Sequence, residues 1–165
     1  MTEHMNQKTQ GLISQASMLL IDHELKKYPE DQKQSAVMAA LRIVQEDNNG
    51  YLTTELMDAV ADYLGMPSIA VYEVATFYTM YEHEPVGQNV MHVCRSISCH
   101  LRGADGVVKA IENKLGIQCG DMTADGKFSL KSAECLGACI HAPVVQVNKT
   151  YHEKVSAQEI DQLLE

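Results

Sequence analysis

The chemistry-bearing residues of this chain are its cysteines. VCRSISCH, residues 93–100, places four residues between Cys94 and Cys99, and ECLGACIH, residues 134–141, places three between Cys135 and Cys139. A fifth, Cys119, stands alone between Gln118 and Gly120 and reads as a free thiol, not a ligand. Two clustered pairs in a chain long enough to bury a core without disulfides point to metal or redox chemistry. Thioredoxin-type exchange needs two intervening residues to bring one thiolate to a helix start with the other in reach, and neither pair has that spacing. Four thiolates around one zinc ion remain open on count alone. A 2Fe-2S cluster wants two thiolates on each iron. Cys-x4-Cys occurs in plant-type ferredoxins, but the third cysteine that follows there after two residues is missing here. With four cysteines available, His100 and His141 are not needed as Rieske-type ligands. Gly137, inside ECLGAC, allows a backbone conformation that brings amides close to an anionic group.

The elements that must position these thiols follow from the patterning. Residues 1–86 read as helical throughout. One helix is expected over residues 12–27, with Leu12, Ile13, Ala16, Leu19 and Leu20 as its apolar positions, stopping near Tyr28-Pro29. A second runs from Gln32 to Gln45 and closes at Asn48-Asn49-Gly50. A third is capped by Thr53 or Thr54 and broken at Gly65-Met66-Pro67. A fourth, SIAVYEVATFYTMY, is expected to start on a Ser68 cap, with Phe77 and Tyr78 packed inside the bundle and Tyr81 at the surface.

HEPVGQ, residues 83–88, marks the expected boundary, and from residue 87 to 165 the pattern alternates between strand and helix. Asn89 to Val93 reads as a strand ending at Cys94, and Cys99 as preceding a helix over Arg102 to Leu115. Phe128-Ser129-Leu130 and Val144 to Val147 read as strands, and Ser156 as the cap of a closing helix. A small α/β domain of the thioredoxin-like kind fits this order. Pro143 lies where such folds often carry a cis-proline.

Composition limits the function. The formal charge is −9, with 13 Lys/Arg against 22 Asp/Glu, and no basic stripe offers itself to nucleic acid or anionic lipid. No apolar run reaches the roughly 18 residues of a spanning helix, so direct membrane insertion is not expected. No secretory leader pattern opens the chain, which favours a reducing cytoplasm. No Gly-rich fingerprint for a nucleotide cofactor is present.

Cys94-x4-Cys99 and Cys135-x3-Cys139 in the form ECLGAC, preceded by EVATFYTMY, resemble the family of small thioredoxin-like 2Fe-2S subunits of NADH:quinone oxidoreductase, respiratory complex I. The resemblance covers nearly the whole chain and implies an α+β/α/β architecture, an N-terminal helical bundle over 1–86 followed by a thioredoxin-like 2Fe-2S ferredoxin domain over 87–165. It further implies that Cys94, Cys99, Cys135 and Cys139 bind one 2Fe-2S cluster. The partner would be the flavin- and NADH-binding subunit of the same complex, which would carry FMN and NADH. The complex would sit in the cytoplasm, peripheral to the inner membrane. Related subunits serve NAD-linked hydrogenases and formate dehydrogenases, and a zinc-stabilised interaction module is the alternative from another class.

Overall fold

The structure is a computed structural model that describes residues 11–164. It divides into two compact units between Pro85 and Val86.

Helices make up the first unit. Helix α1 spans Gln15–Leu25, and the Ser14 hydroxyl caps it by accepting from the Ser17 N–H at 3.1 Å. A 3-10 segment, Glu30–Ala36, leads into α2, Val37–Asp47, so the expected second helix begins as a tighter turn and runs slightly longer. Left-handed Asn49 and Gly50 close it, as residues that tolerate positive φ do. Helix α3, Thr54–Leu64, starts on the Thr53 hydroxyl and ends on left-handed Gly65. Helix α4 covers Ser68–Phe77; its cap position is Pro67, and no Ser68 side-chain cap forms. Ile21, Leu41, Val44, Leu52, Val60 and Val71 form the core.

Two apolar faces differ from expectation. Along α1 the buried side chains are Ser17 and Ile21, an i, i+4 pair on one face, while Leu19, two residues from each, lies on the opposite face and Leu20 beside it also faces out. At the end of α4 the backbone turns extended at Tyr78. Phe77, two residues past buried Ala75 and so on the opposite face of α4, is 78% exposed and Tyr78 stays partly exposed, whereas Tyr81 comes back to 6% exposure and donates its hydroxyl to the Met38 carbonyl at 2.9 Å.

The second unit is a four-stranded sheet in the order β2-β1-β3-β4. Strand β1 (Asn89–Cys94) runs parallel to β2 (Phe128–Ala133), with Asn89 opposite Phe128 and Cys94 opposite Ala133. It runs antiparallel to β3 (Val144–Val147), which pairs antiparallel with β4 (Thr150–Glu153). A parallel pair needs a long crossover. Here it carries α5 (Ile97–Leu101) and α6 (Ala104–Leu115). Val107, Val108 and Ile111 of α6 pack on Met91, Val93, Leu130 and Val145. Gly87 enters the sheet against β2 so closely that a Cβ would stand 2.6 Å from the Phe128 carbonyl carbon, while its N–H donates to the Ser129 hydroxyl at 2.8 Å.

The second unit thus has the sheet expected of a thioredoxin-like domain, with three local differences. Cys99 precedes the expected helix, now α6, but lies within an additional short helix, α5. Strand β4 is an addition to the expected strands, since TYHE is polar and lies at the sheet edge. The closing helix is a short 3-10 turn, Ile160–Leu163, and Ser156 donates to the Glu159 carboxylate.

Candidate metal centre

Two connections leave the sheet at the same end and carry the four paired thiols. The first follows β1: Cys94 is its last residue and Cys99 sits one turn into the crossover. Both are 1% exposed and pack with Ala104, Ala142 and Val144 in a small apolar cluster of their own. The second follows β2 at the next position in the sheet, where the segment from Glu134 to Pro143 holds Cys135 and Cys139, both exposed. Parallel pairing of β1 with β2 is therefore what brings the two cysteine motifs together.

Within this segment Gly137 has φ +87°, a conformation that costs a residue with a Cβ dearly. The turn it permits places the Cys135 and Cys139 sulfurs 3.3 Å apart. The Leu136 N–H, between them in sequence, donates to the Cys94 sulfur, as do the backbone and side chain of Ser96. The segment ends at a cis peptide between Ala142 and Pro143, beyond which the Val144 N–H donates to the Cys99 sulfur.

These contacts set the thiols apart electrostatically. Burial pushes Cys94 up, but the Leu136 and Ser96 amides, with the Cys99 side chain, outweigh it and hold Cys94 below the ordinary thiol value. Burial and the bond to Cys94 raise Cys99. Cys139 is raised by its hydrogen bond to Cys135 and by that neighbour's charge. Proximity couples the buried pair, Cys94 with Cys99, so that an ionised Cys94 discourages ionisation of Cys99.

The donor set fits a metal-sulfur group. All four cysteines are free thiols. Amide N–H groups already face sulfur where thiolate charge would need them. The His141 Nδ1 atom, two residues past Cys139, is buried without a hydrogen-bond partner. Among the described residues no three His, Cys, Asp or Glu side chains converge on one point. The thiols stand as two pairs, an arrangement suited to two metal centres taking two thiolates each.

The surrounding histidines have partners of their own. His100 Nδ1 lies 3.1 Å from Asp105, whose other oxygen takes the Arg95 guanidinium at 2.9 Å, and His141 Nε2 lies 3.8 Å from Glu153. Cys119 stands apart from the two pairs, on the edge of the sheet core, and its N–H donates to Glu112 at 3.0 Å. That amides approach sulfur near Gly137 is foreseeable from sequence, but that the donors are Leu136, Ser96 and Val144 is not, since this depends on turn geometry and not on side-chain identity.

Comparison with known proteins agrees with this chemistry. A family model described as thioredoxin-like 2Fe-2S ferredoxin matches residues 21–165. A Rickettsia bellii protein named as a subunit of NADH-quinone oxidoreductase is 42% identical over 149 residues, covering 90% of this chain and 89% of that one. Its namesake from Rickettsia conorii is 40% identical over 162 residues, covering 98% and 97%. Among solved structures, an NAD+-reducing NiFe-hydrogenase in its air-oxidized state shares the fold with a TM-score of 0.68 at 21% identity over 83% of this chain. This chain spans 24% of that hydrogenase chain.

Proposed function

The chain belongs to the thioredoxin-like 2Fe-2S ferredoxin family, and on that premise we propose that it is a one-electron carrier subunit of an NADH:quinone oxidoreductase. The observation that carries the reading is likeness along almost the whole chain, at about 40% identity, to proteins named as one particular subunit of that enzyme. In this reading Cys94, Cys99, Cys135 and Cys139 hold one 2Fe-2S cluster. Such a cluster supplies a centre that takes up and releases single electrons.

The chain's own residues do the rest. Cys94 and Cys99 anchor from the buried side, and the Leu136, Ser96 and Val144 amides compensate thiolate charge there. Exposed Cys135 and Cys139 face outward, where a redox partner can approach. FMN and NADH belong to the partner, the flavin-bearing subunit that oxidises NADH. Association with a membrane would come through the complex, because no helix among the described residues is long and apolar enough to cross one.

The test is anaerobic mixing of the loaded chain with the flavoprotein subunit of the same complex. Added NADH should bleach the visible absorption of the chain when the flavoprotein is present and leave it unchanged when it is absent. Bleaching that never occurs with an active flavoprotein would overturn the assignment.

A further inference from the structure

Beside the candidate centre runs a groove of about 480 Å³. Part of its wall is apolar, from Val107 of α6, Ile140 and Pro143 of the cysteine-bearing segment, and Val155 beyond β4, and Ser156 and Gln158 add a polar part. Two cations line it, Arg102 at the end of α5 and Lys154 after β4, and among the described residues no carboxylate does. Of the nearby acids, Asp105 pairs with Arg95 and His100, Glu153 stands beside His141, and Glu159 accepts from the hydroxyl of Ser156, itself a residue of the groove wall.

Lys154 is held there at a conformational cost. Its φ is +53°, a region that side chains other than Asn and Gly seldom adopt, and its N–H is fixed to the His141 carbonyl at 2.7 Å. Two cations facing a groove without a carboxylate, in a chain of net charge −9, are complementary to an anion that the chain does not supply. The apolar part of the wall favours hydrocarbon next to that anion, which describes an Asp or Glu side chain flanked by apolar residues.

The position names the occupant. Ile140 directly follows Cys139 and is 80% exposed, so whatever fills the groove stands against the cysteine-bearing segment. We infer that this groove receives an acidic, partly apolar segment of the redox partner protein, with Arg102 and Lys154 gripping its carboxylate and Ile140 covered by its apolar part. The inference rests on the reading of the chain as an electron carrier and adds to it the chemistry of docking.

The experiment uses the full chain with its cluster and the flavoprotein subunit of the same complex. Arg102→Glu and Lys154→Glu are compared with Lys109→Glu, a reversal on α6 outside the groove. Each groove reversal is expected to weaken the complex by about tenfold or more and to flatten its salt dependence, while the control stays within about twofold. Carbodiimide coupling of the wild-type complex should join Lys154 to an Asp or Glu of the partner. Visible absorbance keeps the two claims apart: a wild type without iron-sulfur absorption defeats the electron-carrier reading itself. A loaded wild type whose binding ignores both reversals and gives no Lys154 coupling overturns the groove alone, and one that forms no complex overturns the occupant assigned to it.

Discussion

Cys135 and Cys139 are exposed with sulfurs 3.3 Å apart, whereas Cys94 and Cys99 are buried among Ala104, Ala142 and Val144. The same four side chains therefore divide into an accessible pair and a sheltered pair, and with metal removed they should answer an oxidant differently. Diamide treatment of the metal-free chain is expected to link Cys135 to Cys139 first, detected by peptide mass mapping. Linkage of Cys94 to Cys99 ahead of it would contradict the burial described. At this scale the sequence is most informative, because ligand spacing is a local property and both motifs are continuous. What escapes it is the environment: nothing in VCRSISCH says that the Ser96 and Leu136 amides both turn toward the Cys94 sulfur.

Elements are joined by polar contacts as well as by their cores. The Tyr63 hydroxyl of α3 donates to Asp22 of α1 at 2.8 Å, and burial together with that carboxylate pushes its pKa up to about 12. A folded value above the unfolded 10.0 means that this contribution to stability is complete below the unfolded value and lost as pH rises from there toward about 12. Tyr63→Phe should cost about 1 kcal/mol at neutral pH and lose less stability than the wild type across that alkaline window, as urea unfolding would show. Equal losses would contradict the contact. Helices α2 and α3 are legible in the sequence because their apolar residues recur at helical spacing and their ends carry Asn-Gly and Thr signals. Phe77 is exposed because it lies on the face of α4 opposite buried Ala75, and Tyr81 is buried because the phase of a helix holds only as far as the helix does and α4 stops at Phe77. Strand β4 lacks apolar alternation, and its one local signal is the two-residue Asn148-Lys149 link with Asn148 at φ +52°.

For the whole molecule, the composition already separates an acidic helical half, with 5 Lys/Arg against 13 Asp/Glu over residues 1–86, from a near-balanced half that holds every cysteine. The thioredoxin-like architecture is legible from the order of strands and helices in the second half. Pairing of β1 with β2, which unites the two motifs, joins residues too far apart in sequence for local pattern to reveal. In the proposed reading, that pairing is also why four thiols in two distant motifs serve one group. The most direct measurement is metal and sulfide analysis of anaerobically purified protein, with its visible spectrum, for the wild type and Cys135→Ser. Four thiols serving one 2Fe-2S cluster predict about two irons and two sulfides per wild-type chain, charge-transfer absorption, and a weakened or lost cluster in the variant. A colourless wild type with stoichiometric zinc, or a variant that keeps the full absorbance, would contradict it.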